Sequence, residues 1–159
     1  MPEFITRYAG LALLVALSLP VQAHAQTTTP KGSIVLAKTS PSALLIWDAS
    51  PVVADLVADK TPDSQALRLL TADAIELLHE RAASLTAKTV ELRVVYTRSG
   101  AISPAYGAPT FAGVERVMVI DASRADALAR ADQWKKAARD GAPTPGLTVK
   151  ITGSMPPSA

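Results

Sequence analysis

A long amphipathic pattern over residues 63–85 limits the possible folds more than any other feature of this chain. Apolar side chains recur there at steps of three and four residues, the spacing of one helical face, namely Leu67, Leu70, Ala74, Leu77, Leu78 and Leu85. Burial of these side chains would contribute on the order of 10 kcal/mol before the loss of conformational entropy is counted. The pattern predicts a helix that supplies much of the core, with Arg68, Glu76, His79 and Glu80 mostly on its polar side.

After this helix the apolar spacing changes to an alternation with period two. Residues 89–98 alternate in this way and predict a strand with one buried face. Residues 114–121 are apolar on both faces, which is typical of a strand in the middle of a sheet. Shorter alternating runs at 33–38 and 147–152 predict two further strands.

The remaining segments predict two more helices and leave one element open. Ser50 and Pro51 resemble an N-cap followed by proline at the first helical position. Ser123 with Asp126 resembles a capping box for a second helix that Gly141 ends, and its predicted inner face consists of Ala127, Ala131, Trp134 and Ala138. Residues 43–49 fit either a strand that pairs with 33–38 or a helix that begins at Ser42.

Together these elements predict an α/β (α+β) two-layer sandwich. We expect a mostly antiparallel sheet with the helices on one face. Without the short helix and the open segment, the order is βαββαβ, as in ferredoxin-like sandwiches. Residues 33–153 would form a single globular domain, between a flexible lead at 26–32 and a frayed tail at 154–159.

The first 25 residues have the pattern of a cleavable export signal. An apolar run from Tyr8 to Leu19 ends at Pro20, and Ala23-His24-Ala25 supplies the small residues that signal peptidases recognise. The run is too short for a permanent membrane-spanning helix, and no cysteine follows it for lipid attachment. We therefore expect a bacterial protein that is periplasmic or secreted, begins near Gln26 and has no stable membrane insertion.

Composition and motifs exclude several classes of function. The chain has no cysteine, which excludes thiol chemistry, and its 16 basic and 14 acidic side chains are interspersed without the basic stripe of a nucleic-acid binder. After cleavage His79 would be the remaining histidine, which is too few for an ordinary zinc site, and we expect it to be solvated. No phosphate-binding glycine motif is present, so we predict no cofactor, metal or catalytic residue. Trp47 and Trp134 are expected in the core.

The candidate binding surface is the segment 99–113. It joins two predicted strands with fifteen residues, whereas hairpin loops usually have about two to five. Its glycines, prolines, Tyr106 and Phe111 suggest a defined shape, with Arg98, Glu115 and Arg116 flanking its mouth. Long connections of this kind are often binding loops. The alternative is that both aromatic side chains simply pack the segment onto the sheet edge.

Three hypotheses about function follow. The first is an exported, non-catalytic binding or accessory domain that engages a protein, peptide or envelope component through 99–113. The second is a small enzyme that uses carboxylate, tyrosine and arginine side chains beneath that segment. The third is a structural homo-oligomer that pairs its sheet edges.

Overall fold

The computed structural model describes residues 30–97 and 114–156, and within these ranges the chain forms a five-stranded sheet and three helices. The elements in chain order are β1 (Ser33–Lys38), β2 (Ala43–Asp48), α1 (Ser50–Ala58), α2 (Asp63–Ala82), β3 (Thr89–Thr97), β4 (Val114–Ser123), α3 (Arg124–Asp140) and β5 (Leu147–Ile151). This is an α+β two-layer arrangement, as the sequence predicts.

The strands lie in the sheet in the order β1-β2-β3-β4-β5. β2 and β3 are parallel, and the other three pairs are antiparallel. The parallel pair follows from the connection, because α1 and α2 carry the chain back to the edge where β2 began. From β2 onward the element order along the chain is compatible with a ferredoxin-like arrangement, while in space β2 hydrogen-bonds directly to β3.

The open segment 43–49 is resolved as a strand. β2 is an internal strand, paired with β1 on one side and β3 on the other. Its alternate residues Ala43, Leu45 and Trp47 are buried on one face of the sheet. A helix here would leave the backbone of β3 without its partner.

The core lies between this face and the helices. Trp47, Val94 and Met118 are cross-strand neighbours in β2, β3 and β4, and all three are fully buried. The expectation that both tryptophans are core residues is confirmed. Each indole N–H donates to a backbone carbonyl: Trp47 to Lys31 at 3.1 Å, and Trp134 to Pro145 at 2.8 Å.

The predicted helices are present, with two corrections at their ends. α2 ends at Ala82 rather than Leu85, although Leu85 remains buried beyond the helix end. The N-cap of α1 is Ala49 without a side-chain hydrogen bond, so Ser50 is not the cap. At α3 the expected features are found: Ser123 Oγ accepts from the Asp126 N–H at 3.0 Å, and Gly141 ends the helix with a φ of 69°.

The polar side of α2 differs from the expectation because α3 packs along it. The expected solvated position of His79 is wrong: its Nδ1 lies 2.9 Å from the Ala127 carbonyl oxygen, and the side chain is half-buried. Glu76 forms an ion pair with Lys135 of α3 in the same layer. The position of α3 depends on contacts between residues that are far apart in the sequence. The apolar pattern of α2 alone therefore could not predict the surroundings of His79 and Glu76.

Several predicted features lie outside the described residues or at their limits. The export signal, residues 1–25, is outside them. In the described part of the chain, no helix has the length and apolar character required to span a membrane. At the end of the domain, the Tyr96 hydroxyl donates to the Ser154 carbonyl at 3.3 Å and Met155 is buried.

Candidate functional site

The predicted site residues divide into two groups. Arg98, Tyr106 and Phe111 lie outside the described residues, as does the rest of 99–113. Glu115 and Arg116 are described and exposed, at the start of β4. The register places them opposite Tyr96 and Val95 of β3.

The described residues that flank 98–113, Thr97 and Val114, meet at one edge of the sheet. Thr97 ends β3, Val114 begins β4, and these two residues are register partners. The carboxyl ends of the parallel strands β2 and β3 lie at this same edge, where Asp48 is the register partner of Val95. In sheets with parallel strands, ligands commonly bind beyond the carboxyl ends of the strands.

A polar cluster of Asp48, Ser50 and Thr97 occupies this edge. Asp48 Oδ1 accepts from the Ser50 backbone N–H at 3.0 Å and from the Ser50 hydroxyl at 2.5 Å. The Ser50 oxygen in turn accepts from the Thr97 N–H at 2.9 Å, and the Thr97 hydroxyl lies 3.4 Å from it. The cluster therefore joins the end of β2, the start of α1 and the end of β3.

The second carboxylate oxygen of Asp48 is the unusual feature of the cluster. Asp48 is 0% exposed, and among residues 30–97 and 114–156 its Oδ2 atom has no hydrogen-bond partner. Buried polar atoms in native proteins nearly always have a partner, and leaving one without costs about 1–3 kcal/mol. Asp48 Oδ2 is therefore a buried acceptor that the described residues leave without a donor.

The chain before β1 passes close to the backbone of Asp48. Gly32 has a φ of 113°, and a Cβ atom there would lie 2.0 Å from the Asp48 carbonyl oxygen. On the other side, the Ala49 N–H donates to the Val95 carbonyl at 2.8 Å and continues the β2–β3 ladder past Asp48. Backbone from two neighbouring segments therefore surrounds this end of β2.

An ion pair lies nearby on the outer surface. Lys31 Nζ donates to Asp55 of α1 at 2.8 Å, and both side chains are exposed. The hydrogen bond to Asp55 raises the pKa of Lys31. Since water screens this pair, we expect it to tether the 30–32 segment to α1 only weakly.

A second polar region lies at the opposite end of β3. It is an open cleft of about 330 Å³ lined by Ser42, Thr89, Val90, Glu91 and Asp121. The hydroxyls of Ser42 and Thr89 are 2.6 Å apart, and Arg93 donates to Glu91 at 2.7 Å. Across residues 30–97 and 114–156, no three histidine or carboxylate side chains group as metal ligands would.

Sequence reasoning missed Asp48, which is the central residue of the first site. The signal was present, because a carboxylate ends the otherwise apolar run 43–48 directly before the start of a helix. What the sequence does not show is that Thr97, 49 positions later, closes the cluster. Comparison of the chain with protein-family models, curated proteins and solved structures finds no match.

Proposed function

We propose that this protein is an exported, non-catalytic binding or accessory domain of the cell envelope. It engages a protein, peptide or envelope component through residues 99–113 and through the sheet edge at which Thr97 and Val114 lie. The single observation that carries the proposal is Asp48 Oδ2 at that edge, which is buried and has no partner in the part of the chain that the structure describes.

The chemistry of the edge supports recognition of a hydrogen-bond donor. Because Asp48 is fully buried, a ligand reaches Oδ2 only after a local rearrangement of this edge. It must then bring an N–H, an O–H or a protonated amine, since a carboxylate oxygen only accepts hydrogen bonds. The exposed side chains of Glu115 and Arg116 at the start of β4 add charges of both signs. Such a mixed polar edge suits a peptide or a similarly polar envelope component.

The proposal is tested by capture of partners from envelope extract and by cosedimentation with purified peptidoglycan. We expect wild-type protein to retain a partner that the double variant Tyr106→Ala, Phe111→Ala releases. Lys136→Ala, at an exposed position of α3, is the matched control and should behave as wild type. Equal recovery of every partner by wild type and double variant would overturn the role of 99–113.

One observation favours a second candidate, a small acid–base enzyme. The Ser50 hydroxyl donates to a buried carboxylate, and such a carboxylate is placed to accept the proton of a reacting hydroxyl. An enzyme of this kind would release soluble fragments from purified peptidoglycan or an envelope peptide mixture, detected by mass spectrometry. Both Asp48→Asn and Ser50→Ala should abolish the release. Fragment release that persists in both variants would contradict a role for this pair.

A further inference from the structure

The outer edge of β1 is unpaired among the described residues and is protected at one end only. β1 pairs with β2 on one side, and within the described residues no element pairs with its other side. Edge strands are usually protected by charged side chains, proline or bulges, because their free N–H and C=O groups pair readily with another strand. Residues 33–36 are Ser-Ile-Val-Leu and contain neither a charge nor a proline, whereas the far end of β1 carries Lys38 and a register shift between Leu36 and Lys38.

The side chains of β1 are also apolar on the face that continues the core. Ile34 and Leu36 are register partners of Trp47 and Leu45, so they lie on the helix-covered face of the sheet. Ile34 is partly buried against the core, while Leu36 is 44% exposed. The apolar layer therefore extends to the edge without being covered there.

We propose that β1 pairs with β1 of a second copy of this chain to form a symmetric antiparallel dimer with one continuous sheet. A two-fold axis between the Val35 residues of the two copies places Ile34 of each copy opposite Leu36 of the other. Both of these pairs lie on the helix-covered face of the sheet. Val35 meets Val35 on the other face. The register shift between Leu36 and Lys38 confines the regular pairing to residues 34–36 and their immediate neighbours. The two Lys38 side chains lie at opposite ends of the contact, so no like charges meet.

The opposite edge of the sheet is less suited to such pairing. β5 has five residues and carries Lys150 near its centre. A lysine on an edge strand opposes pairing with another chain. A contact of β1 with β5 would also be a head-to-tail contact that builds open polymers, whereas β1 with β1 closes after two copies.

The surface area that the β1–β1 contact buries sets the expected affinity of the dimer. Stable dimers usually bury about 1,200–2,000 Å² in total, and one short strand pair with its flanking side chains lies at the low end or below. The dimer should therefore dissociate on dilution. In sedimentation equilibrium, the weight-average mass should rise toward about twice the monomer mass with increasing protein concentration.

Two matched substitutions test which edge is used. Leu36→Lys, on β1, should keep the protein monomeric at concentrations at which wild type is dimeric. Ile151→Lys is the control, since Ile151 is exposed to a similar extent (47%) on β5. Because both positions are exposed, we expect both variants to keep the wild-type circular dichroism spectrum. A wild type that stays monomeric throughout, or dissociation by both variants alike, would overturn the proposal.

Single cysteines test the register, because the chain contains none of its own. Residues directly opposite in an antiparallel pair have Cα atoms about 4.5–5.5 Å apart, which is within the range that a disulfide bridges. Under mild oxidation Val35→Cys should therefore form a covalent dimer. Ser33→Cys should not, since the two copies of residue 33 would be about 13 Å apart along the strands. Crosslinking at 33 and not at 35 would overturn the register, and crosslinking at neither would overturn the β1 contact.

Discussion

The hydroxyl of Ser50 donates a 2.5 Å hydrogen bond to Oδ1 of Asp48, two residues earlier in the chain. The same hydroxyl oxygen accepts from the Thr97 N–H at 2.9 Å. One serine thereby ties the last residue of β2 to the last residue of β3, at the edge where the 99–113 segment is attached.

Ser50→Ala should destabilise the protein by about 1–3 kcal/mol, because it removes one donor from a buried carboxylate and one acceptor from the Thr97 N–H. Urea unfolding of wild type and variant measures the difference. Ser50→Thr keeps the hydroxyl and should recover most of the loss. Equal stability of wild type and Ser50→Ala would show that the cluster does not hold this edge together.

Gly32→Ala should destabilise the protein by about 1–3 kcal/mol. The φ of 113° is strained for any side chain, and the new Cβ would lie 2.0 Å from the Asp48 carbonyl oxygen, so the backbone must shift. Thermal unfolding measures the loss. Ser33→Ala, in the next residue but exposed, is the control and should change the stability little. A fully stable Gly32→Ala variant would contradict the close approach described above.

Asp73→Asn should remove from the pH dependence of stability the contribution of this one carboxyl group. Burial raises the pKa of Asp73 above its ordinary value of 3.8, with a further increase from Glu76 and a partial decrease from Arg139. The folded state therefore holds this proton more tightly than the unfolded state. Its stabilising contribution is complete below pH 3.8 and is lost as the pH rises through the folded-state pKa.

The variant lacks this loss. The free energy of unfolding of the variant minus that of wild type should therefore be larger at neutral pH than at pH values below 3.8. Denaturant unfolding at several pH values tests the difference. Asp59→Asn, at an exposed position, controls for the general effect of removing a negative charge. If the stability of Asp73→Asn followed pH in parallel with that of wild type, the raised pKa of Asp73 would be contradicted.

Lys135→Met should cost about 2 kcal/mol of stability, because it leaves the Glu76 carboxylate without its partner between α2 and α3. Burial disfavours the Lys135 ammonium, but hydrogen bonds to Glu76 and Asp132 outweigh this and raise the pKa of Lys135. The side chains of Lys135 and Glu76 are only 13% and 19% exposed. Urea unfolding measures the loss.

The neighbouring pair Lys136–Asp140 provides the control for this prediction. It has ordinary hydrogen-bond geometry, at 2.9 Å, but both side chains are exposed. Lys136→Met should therefore change the stability little or not at all. If Lys135→Met and Lys136→Met lowered the stability by similar amounts, burial between α2 and α3 would not explain the contribution of the Lys135–Glu76 pair.

The sequence by itself determined the elements and most of the core. The apolar spacing in 63–85 follows the 3.6-residue turn of a helix, and the alternation in 89–98 follows the two-residue repeat of a strand. Both patterns are local, so they can be recognised without knowing the fold. The stop of α3 at Gly141 is local in the same way, since it depends on one residue that adopts a positive φ. For these reasons the two-layer fold class was predictable.

Only the tertiary structure decided the strand pairing and the candidate site. Whether 43–49 forms a strand depended on β1 and β3 offering partners on both sides, and the surroundings of His79 depended on α3. The Asp48 cluster joins residues 48, 50 and 97, which become neighbours only when a helical crossover makes β2 and β3 parallel. Periodicity reports which face of an element is apolar, but hydrogen bonds between distant segments are fixed by how the elements pack.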